Sequence, residues 1–248
     1  MQNTHAPKVV LTIGGHDSRS GGGVSTDLQV FNKCGVFGYA ALTSIVSIFD
    51  DEVRVFPVPN DILQEQLDSV LQATSESQIH AVKIGLLTSF EQVRVVRTFV
   101  KQLLKTSSSK PKIVIDPVLS IKEDTEFGES ADRSDAVQWY TQFAEFANLW
   151  TPNAKEAELL GGRIYKTHTY VLVTKPPVDT LYNAHRLIVR AYSTEKIDTH
   201  NVNGAGCALS AAITSNLALG KGIETAVADA KKFVTEAIEK GAFGSVWV

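Results

Sequence analysis

"KVVLTIGGHDSRSGGGVSTDLQVFNKC" (residues 8–34) sets the architecture of the whole chain. It opens on a continuous β-branched run over 8–13, passes through a glycine-rich turn and ends in an amphipathic segment over 24–34. An unbroken apolar run of that length suits a strand buried on both faces, and strand–turn–helix is the unit from which parallel sheets are built. The same rhythm recurs on the C-terminal side. "YAALTSIVS" (39–47) and "EVRVFPV" (52–58) read as strands, the second interrupted by Pro57. "NDILQEQLDSVLQA" (60–73) opens on an Asn cap and places Ile62, Leu63, Leu67, Val70 and Leu71 on one helical face. "AVKIGLL" (81–87), "KIVIDPVL" (112–119) and "YVLVT" (170–174) are further strands, and helices over 206–219 and 223–240 close the chain. Such interleaving predicts an α/β protein in three layers, an α/β/α sandwich around a mostly parallel sheet. "KTSSSKPK" (105–112) and "KEDTEFGESADRSD" (122–135) read as polar connectors. Because the rhythm resumes after each, residues 1–248 are expected to form one domain.

Composition narrows the function. The 248 residues carry a net charge of −3, with 44% hydrophobic and 21% charged residues, so no basic surface advertises nucleic acid. The first apolar run, 9–13, is far shorter than a signal-peptide core, and no stretch approaches the ~20 apolar residues of a membrane span. Neither a nucleic acid nor a membrane is therefore expected as a partner. The two cysteines, Cys34 and Cys207, make no disulfide framework, which suits a reducing cytoplasm.

In an open α/β sheet, ligands sit beyond the carboxyl ends of the strands, so the loops there carry the chemistry. "GGHDSRSGGGVSTD" (14–27) holds five glycines and three serines. Glycine permits close backbone approach, and the free amides of the following helix can meet an anion or a polar ligand. The spacing is not the Gly-x-Gly-x-x-Gly of a dinucleotide fingerprint. "WTPNAKEAELLGG" (150–162) sets Asn153 and Glu156 at the spacing of a capping box, and spacing alone favours that reading. The alternative puts the Glu156 carboxylate near the water shell of a magnesium ion at a phosphate site. "NVNGAGCALSAA" (201–212) runs Gly204, Ala205 and Gly206 into a small-residue helix. The first amides of such a helix lack intrahelical acceptors and lie at the positive end of its dipole, a cradle for charge developing in a transition state. Cys207 at that mouth reads in two ways. Its thiol pKa falls from about 8.5 and the thiolate works, or it is a small side chain that lets the helix pack closely. Cys34 reads as packing.

Taken together, "LTIGGHDSRSGGGVSTDLQVFNKCGVFGYAALTSIVS", "AVKIGLL", "IVIDPVL", "TPNAKEAELL" and "NGAGCALSAAITSNLALGKG" resemble the hydroxymethylpyrimidine/phosphomethylpyrimidine kinases and the related vitamin B6 kinases. Both are ribokinase-like, and the resemblance spans nearly the whole chain. It implies an α/β/α sandwich that transfers phosphate from ATP, with magnesium, to the hydroxymethyl group of a heteroaromatic ring. It also implies that Gly204, Ala205 and Gly206 offer amides to the transferring phosphoryl group, with Cys207 as proton acceptor. By the same resemblance Asp27 contacts the ring or its substituents, and Gly15, Val46, Leu86 and Val118 line the pocket. Asp116, Asn153, Glu156, Thr174 and Lys175 fall on the nucleotide side, Glu156 reaching the metal through water. Members often form homodimers.

The departures carry information. Ile48 stands where pyrimidine kinases of this type have a glutamine, which favours a B6 vitamer (pyridoxal, pyridoxine or pyridoxamine) over hydroxymethylpyrimidine. Asn203 replaces a histidine, and Pro176 and Pro177 stand where relatives have glycines near the nucleotide. The segment between Gly162 and Tyr170 is too short for a helix found there in relatives. A sugar or nucleoside kinase would need more carboxylates and amides around a polyol than "SRSGGG" supplies. A vitamin-binding paralogue with a weakened nucleotide loop is the rival from another class.

Overall fold

Alternation along β1 (Val9–Asp17) sorts the core into two halves. Val9, Leu11 and Ile13 face one apolar cluster and Val10 the other, the period-two pattern of a strand buried on both sides. The structure is a computed structural model that describes residues 6–49, 52–73, 78–119, 133–195 and 197–248. After β1 come α1 (Gly23–Lys33), β2 (Phe37–Ile48), β3 (Val53–Pro57), α2 (Asn60–Ala73), β4 (Ile79–Ile84), α3 (Phe90–Thr106) and β5 (Lys112–Ile115). Then follow α4 (Arg133–Thr141), β6 (Leu149–Trp150), α5 (Ala154–Leu160), β7 (Tyr170–Val173), β8 (Val178–Tyr182), β9 (Ile188–Ser193), α6 (Ala205–Ala218) and α7 (Ile223–Glu239). Among the described residues the strands form one sheet in the order β3-β2-β1-β4-β5-β6-β7-β8-β9. Its centre, from β2 to β7, is parallel, while β3, β8 and β9 join antiparallel at the two edges. One face is covered by α2 to α5, through Leu67, Phe99, Tyr140 and Leu160, and the other by α1, α6 and α7, through Phe31, Ile213 and Val227. This is the expected α/β/α sandwich.

Three differences from the sequence reading have physical causes. β1 does not stop at residue 13 but runs through Gly14 and Gly15 to Asp17, with a register shift against β2 between the glycines. A Cβ on Gly15 would stand 2.8 Å from Ser44 Oγ and 2.9 Å from a Leu86 methyl. The glycine there serves close approach, not a turn. The β8–β9 hairpin escaped the sequence reading because β9 is an edge strand exposed at most positions, with no apolar alternation to betray it. On α2, Leu63, Leu67 and Val70 are buried as expected, but Ile62 is exposed. Of the connector over 122–135, residues 122–132 lie outside the described residues, and 133–135 open α4.

α6 is buried without interruption from Ala208 to Ala218. A helix buried all round belongs inside a layer; its small side chains let it lie close to the sheet and to α1 and α7, and the hydroxyls of Ser210, Thr214 and Ser215 bond carbonyls of its own preceding turn. Its first turn is thereby carried to the carboxyl ends of the strands. No helix among the described residues is long and apolar enough to cross a membrane.

Candidate active site

The ends of β1, β2, β4 and β5 and the N-termini of α1 and α6 enclose a cavity of about 180 Å³. It lies where the chain turns from one half of the sheet to the other, with β2 on one side of β1 and β4 on the other. Open α/β sheets hold ligands at such a point. Gly15, Asp27, Val46, Ile48, Leu86 and Val118 all line it, together with Asp116, Gly204 and Cys207. Val46, Leu86, Ile48 and Val118 pack against one another, so this wall is apolar.

The two glycine-rich loops interlock at the rim. Asp17 is buried and accepts the amides of Arg19 (2.9 Å) and Gly21 (3.1 Å), which folds the first loop back over the cavity. Gly23, at φ +65°, opens α1 and donates its amide to Cys207 Sγ at 3.4 Å. Gly204, at φ +82°, caps α6 with its Cα against the backbone of the first loop. The α6 mouth is as open as expected except at one position. Ala205 N–H is donated to the Val202 carbonyl at 3.1 Å, so Ala205 is not a free donor. The amides of Gly204, Gly206 and Cys207 have no acceptor among the described residues.

The Cys207 thiol departs from expectation. Burial pushes its pKa up to about 11 and the Asp116 and Asp27 carboxylates add to this, against the pull of Lys83 and the Gly23 amide. The helix N-terminus alone would stabilise a thiolate, but two neighbouring carboxylates and a desolvated site outweigh it.

Lys83 is a site residue that the sequence reading passed over, as it did Asp17. On β4, it is 1% exposed. It pairs with Asp27, lies 3.7 Å from Asp116 Oδ2 and donates to the Cys207 carbonyl at 3.2 Å. Burial works against its charge, yet the Asp27 and Asp116 carboxylates outweigh burial and hold the ammonium protonated. Asp27 also accepts the Thr12 hydroxyl at 2.6 Å, and Asp116 accepts Ser210 (2.8 Å) and Thr151 (3.1 Å). The signal was present: a lone lysine inside "AVKIGLL", a run otherwise apolar enough for a buried strand, requires buried partners.

The other residues expected on the nucleotide side, Asn153, Glu156, Thr174 and Lys175, lie next along the sheet, after β6 and β7. Asn153 and Glu156 do form a capping box: Asn153 Oδ1 accepts the Glu156 amide (3.0 Å) and Glu156 Oε2 accepts the Asn153 amide (2.8 Å). Glu156 does more, since its other oxygen accepts the Leu119 amide at 3.3 Å, towards Asp116. Burial, with Asp116 adding to it, pushes the Glu156 carboxyl up to about 7 against its amide donors. Thr174 bridges to Asn153 and bonds the Pro152 carbonyl. Lys175 is exposed, and its amide is spent on Asp179 at 2.8 Å. The stretch before Tyr170 holds only a short 3₁₀ turn, Gly161–Ile164.

The sequence model of the phosphomethylpyrimidine kinase family matches residues 17–175 and 172–245. The chain is 31% identical to the pyridoxine kinase of Bacillus subtilis, over 93% of this chain and 90% of that protein. It is 30% identical to the hydroxymethylpyrimidine/phosphomethylpyrimidine kinase of Staphylococcus aureus, over 94% and 88%. Among solved structures, the ADP complex of Bacillus subtilis pyridoxal kinase superposes with a TM-score of 0.80 at 30% identity, covering 94% of this chain and 92% of that one. Pyridoxal kinase from Staphylococcus aureus, in complex with AMP-PCP and pyridoxal, gives 0.77 at 27% identity over 98% and 93%. Fold, cavity and matches together define a phosphotransferase. The chain belongs to the phosphomethylpyrimidine kinase family of ribokinase-like enzymes.

Proposed function

We propose that this kinase acts as one domain over residues 1–248 and transfers the γ-phosphoryl group of ATP to the ring hydroxymethyl group of a vitamin precursor, with a B6 vitamer preferred to hydroxymethylpyrimidine. The observation that carries the preference is Ile48, set in the apolar wall with Val46, Leu86 and Val118. An aminopyrimidine presents a donor beside an acceptor, and an isoleucine satisfies neither. Each group left unpaired costs about 1–3 kcal/mol, enough for a tenfold or larger discrimination. A methylpyridine edge gains apolar contact instead. The wild type is expected to show a higher kcat/KM for pyridoxal or pyridoxine than for hydroxymethylpyrimidine, and Ile48→Gln to shift that ratio toward the pyrimidine by about tenfold. A wild type that favours the pyrimidine, with a glutamine variant that changes nothing, would overturn the preference and leave the thiamine-precursor kinase as the reading.

The roles follow the geometry. Asp27 holds the ring or its substituents from the floor of the cavity. The hydroxymethyl oxygen meets Cys207, and the open amides of Gly204, Gly206 and Cys207 take up charge on the transferring phosphoryl group. In a loose phosphoryl-transfer transition state most of the work is positioning and charge stabilisation, so the protonated thiol orients the hydroxyl, whose proton leaves late to an oxygen of the phosphoryl group as the new O–P bond forms and the bond to ADP breaks. Asn153, Glu156, Thr174 and Lys175 serve the nucleotide side. Magnesium, when bound, neutralises charge on the ATP phosphates. No cluster of three metal-ligating side chains exists among the described residues, and both Glu156 oxygens already accept amides. A carboxyl pushed up beside Asp116 nevertheless gains from a nearby cation, so Glu156 fits an ion held through its water shell.

The turn after β7 offers little to phosphate, because Pro176 and Pro177 have no N–H and the Lys175 amide is taken. ATP with magnesium is therefore expected to bind, but more weakly than in relatives with glycines there, as read by calorimetry. No heat of binding at millimolar nucleotide would favour a vitamin-binding protein over a kinase.

A further inference from the structure

The three acceptors around the Lys83 ammonium come from three different elements. Asp27 belongs to α1, Asp116 follows β5, and the Cys207 carbonyl belongs to the first turn of α6. Ser210, one turn further along α6, donates to Asp116 and lies 3.1 Å from the same Cys207 carbonyl. A cation beneath a helix N-terminus is repelled by the helix dipole, so this arrangement stands only because two carboxylates offset the repulsion. A lysine needed merely to balance buried carboxylates would not have to reach α6 at all. We propose that Lys83 is a positioning residue for phosphoryl transfer: it locks the first turn of α6, with its open amides and thiol, in register with Asp27 on the ring side and Asp116 on the nucleotide side. The proposal rests on the kinase reading above. Misplacing reacting groups by about 1 Å can cost on the order of 100-fold in rate. A link joining both halves of the site is where such misplacement would arise.

Lys83→Met keeps the length of the side chain and removes its charge. It is expected to lower kcat about 100-fold or more, with KM for vitamin and ATP each within about fivefold of wild type. Hydrogen exchange at the Ala205 and Ala208 amides, both bonded in the α6 mouth, is expected to quicken about tenfold. Because this variant leaves two buried carboxylates without their cation, Lys83→Met/Asp27→Asn is measured beside it, with one charge of each sign removed. The double variant is expected to regain thermal stability while its α6 amides still exchange fast, and Asp27→Asn alone to exchange at the wild-type rate. Turnover of Lys83→Met within threefold of wild type, or wild-type exchange at the α6 mouth in the double variant, would overturn the proposal. A wild type that phosphorylates no vitamin would count against the kinase reading, and amide exchange would still decide the role of Lys83.

Discussion

Cys207→Ala lowers kcat about 100-fold and leaves ring binding largely intact: this is the expected result of removing the side chain proposed to meet the substrate hydroxyl. The sulfur accepts the Gly23 amide and looks into the cavity, so its loss removes a partner of the hydroxyl and leaves that amide unpaired. Cys207→Ser keeps a group able to orient the hydroxyl and is expected to retain more activity than alanine. The raised thiol pKa adds a second reading with a definite sign. A thiol at about 11 is almost wholly protonated at neutral pH, so alkylation of the free enzyme is slow. Its rate should climb about tenfold per pH unit below that value, and bound substrate should protect. Cys34 is also pushed up by burial, so at neutral pH neither thiol is expected to be labelled ahead of the other. An alanine variant with undiminished kcat would return Cys207 to the role of a small packing residue.

How much of this was legible before the structure depended on how far each signal is local. The buried strands β1, β4, β5 and β7 announced themselves as short continuous apolar runs, α2 and α7 by helical periodicity, and α6 as a small-residue run entered through glycines. The hairpin β8–β9 did not, since pairing at a sheet edge needs no apolar pattern of its own. The six pocket residues carried over by resemblance all line one cavity, yet Lys83 and Asp17, which line it too, were both missed. The acceptors of Lys83 are Asp27, Asp116 and the Cys207 carbonyl, at distances along the chain that no motif spacing records, whereas Asp17 takes the Arg19 and Gly21 amides in a local turn inside the glycine-rich loop. Asn153 and Glu156 show the converse. The capping box visible in the spacing is real, and the bond to Leu119 that ties it to the end of β5 is long-range. Of the two readings open for Cys207, the lowered thiol pKa fails: a helix N-terminus is written in local sequence, whereas the burial that raises the pKa, and the carboxylates from α1 and the end of β5 that add to it, come from the fold.

The same interlocking makes Gly204 the position where one methyl group has the largest consequence. At φ +82° a side chain other than hydrogen costs about 1–2 kcal/mol from the left-handed backbone alone. An alanine Cβ there would stand 2.0 Å from the Gly21 carbonyl oxygen and 3.0 Å from its carbon, atoms of a backbone that cannot rotate away. The loop must move, and two things move with it. Gly21 N–H is the bond that Asp17 uses to fold the first loop, and Gly23 N–H is the bond to Cys207. Gly204→Ala is therefore expected to destabilise the fold by about 3 kcal/mol or more, a large share of the 5–15 kcal/mol that holds a typical domain folded. In the fraction that folds, kcat is expected to fall more than about 100-fold, because the open amides are displaced from the transferring group. Gly206, two residues on, separates the causes. A Cβ there meets nothing within 4 Å, so Gly206→Ala should keep wild-type thermal stability. Denaturant unfolding of the two variants side by side reads the difference. If Gly204→Ala unfolds at the wild-type midpoint, the close contact between the two loops does not hold the α6 mouth, and the amide cradle is kept in place by α6 packing and the Lys83 link instead.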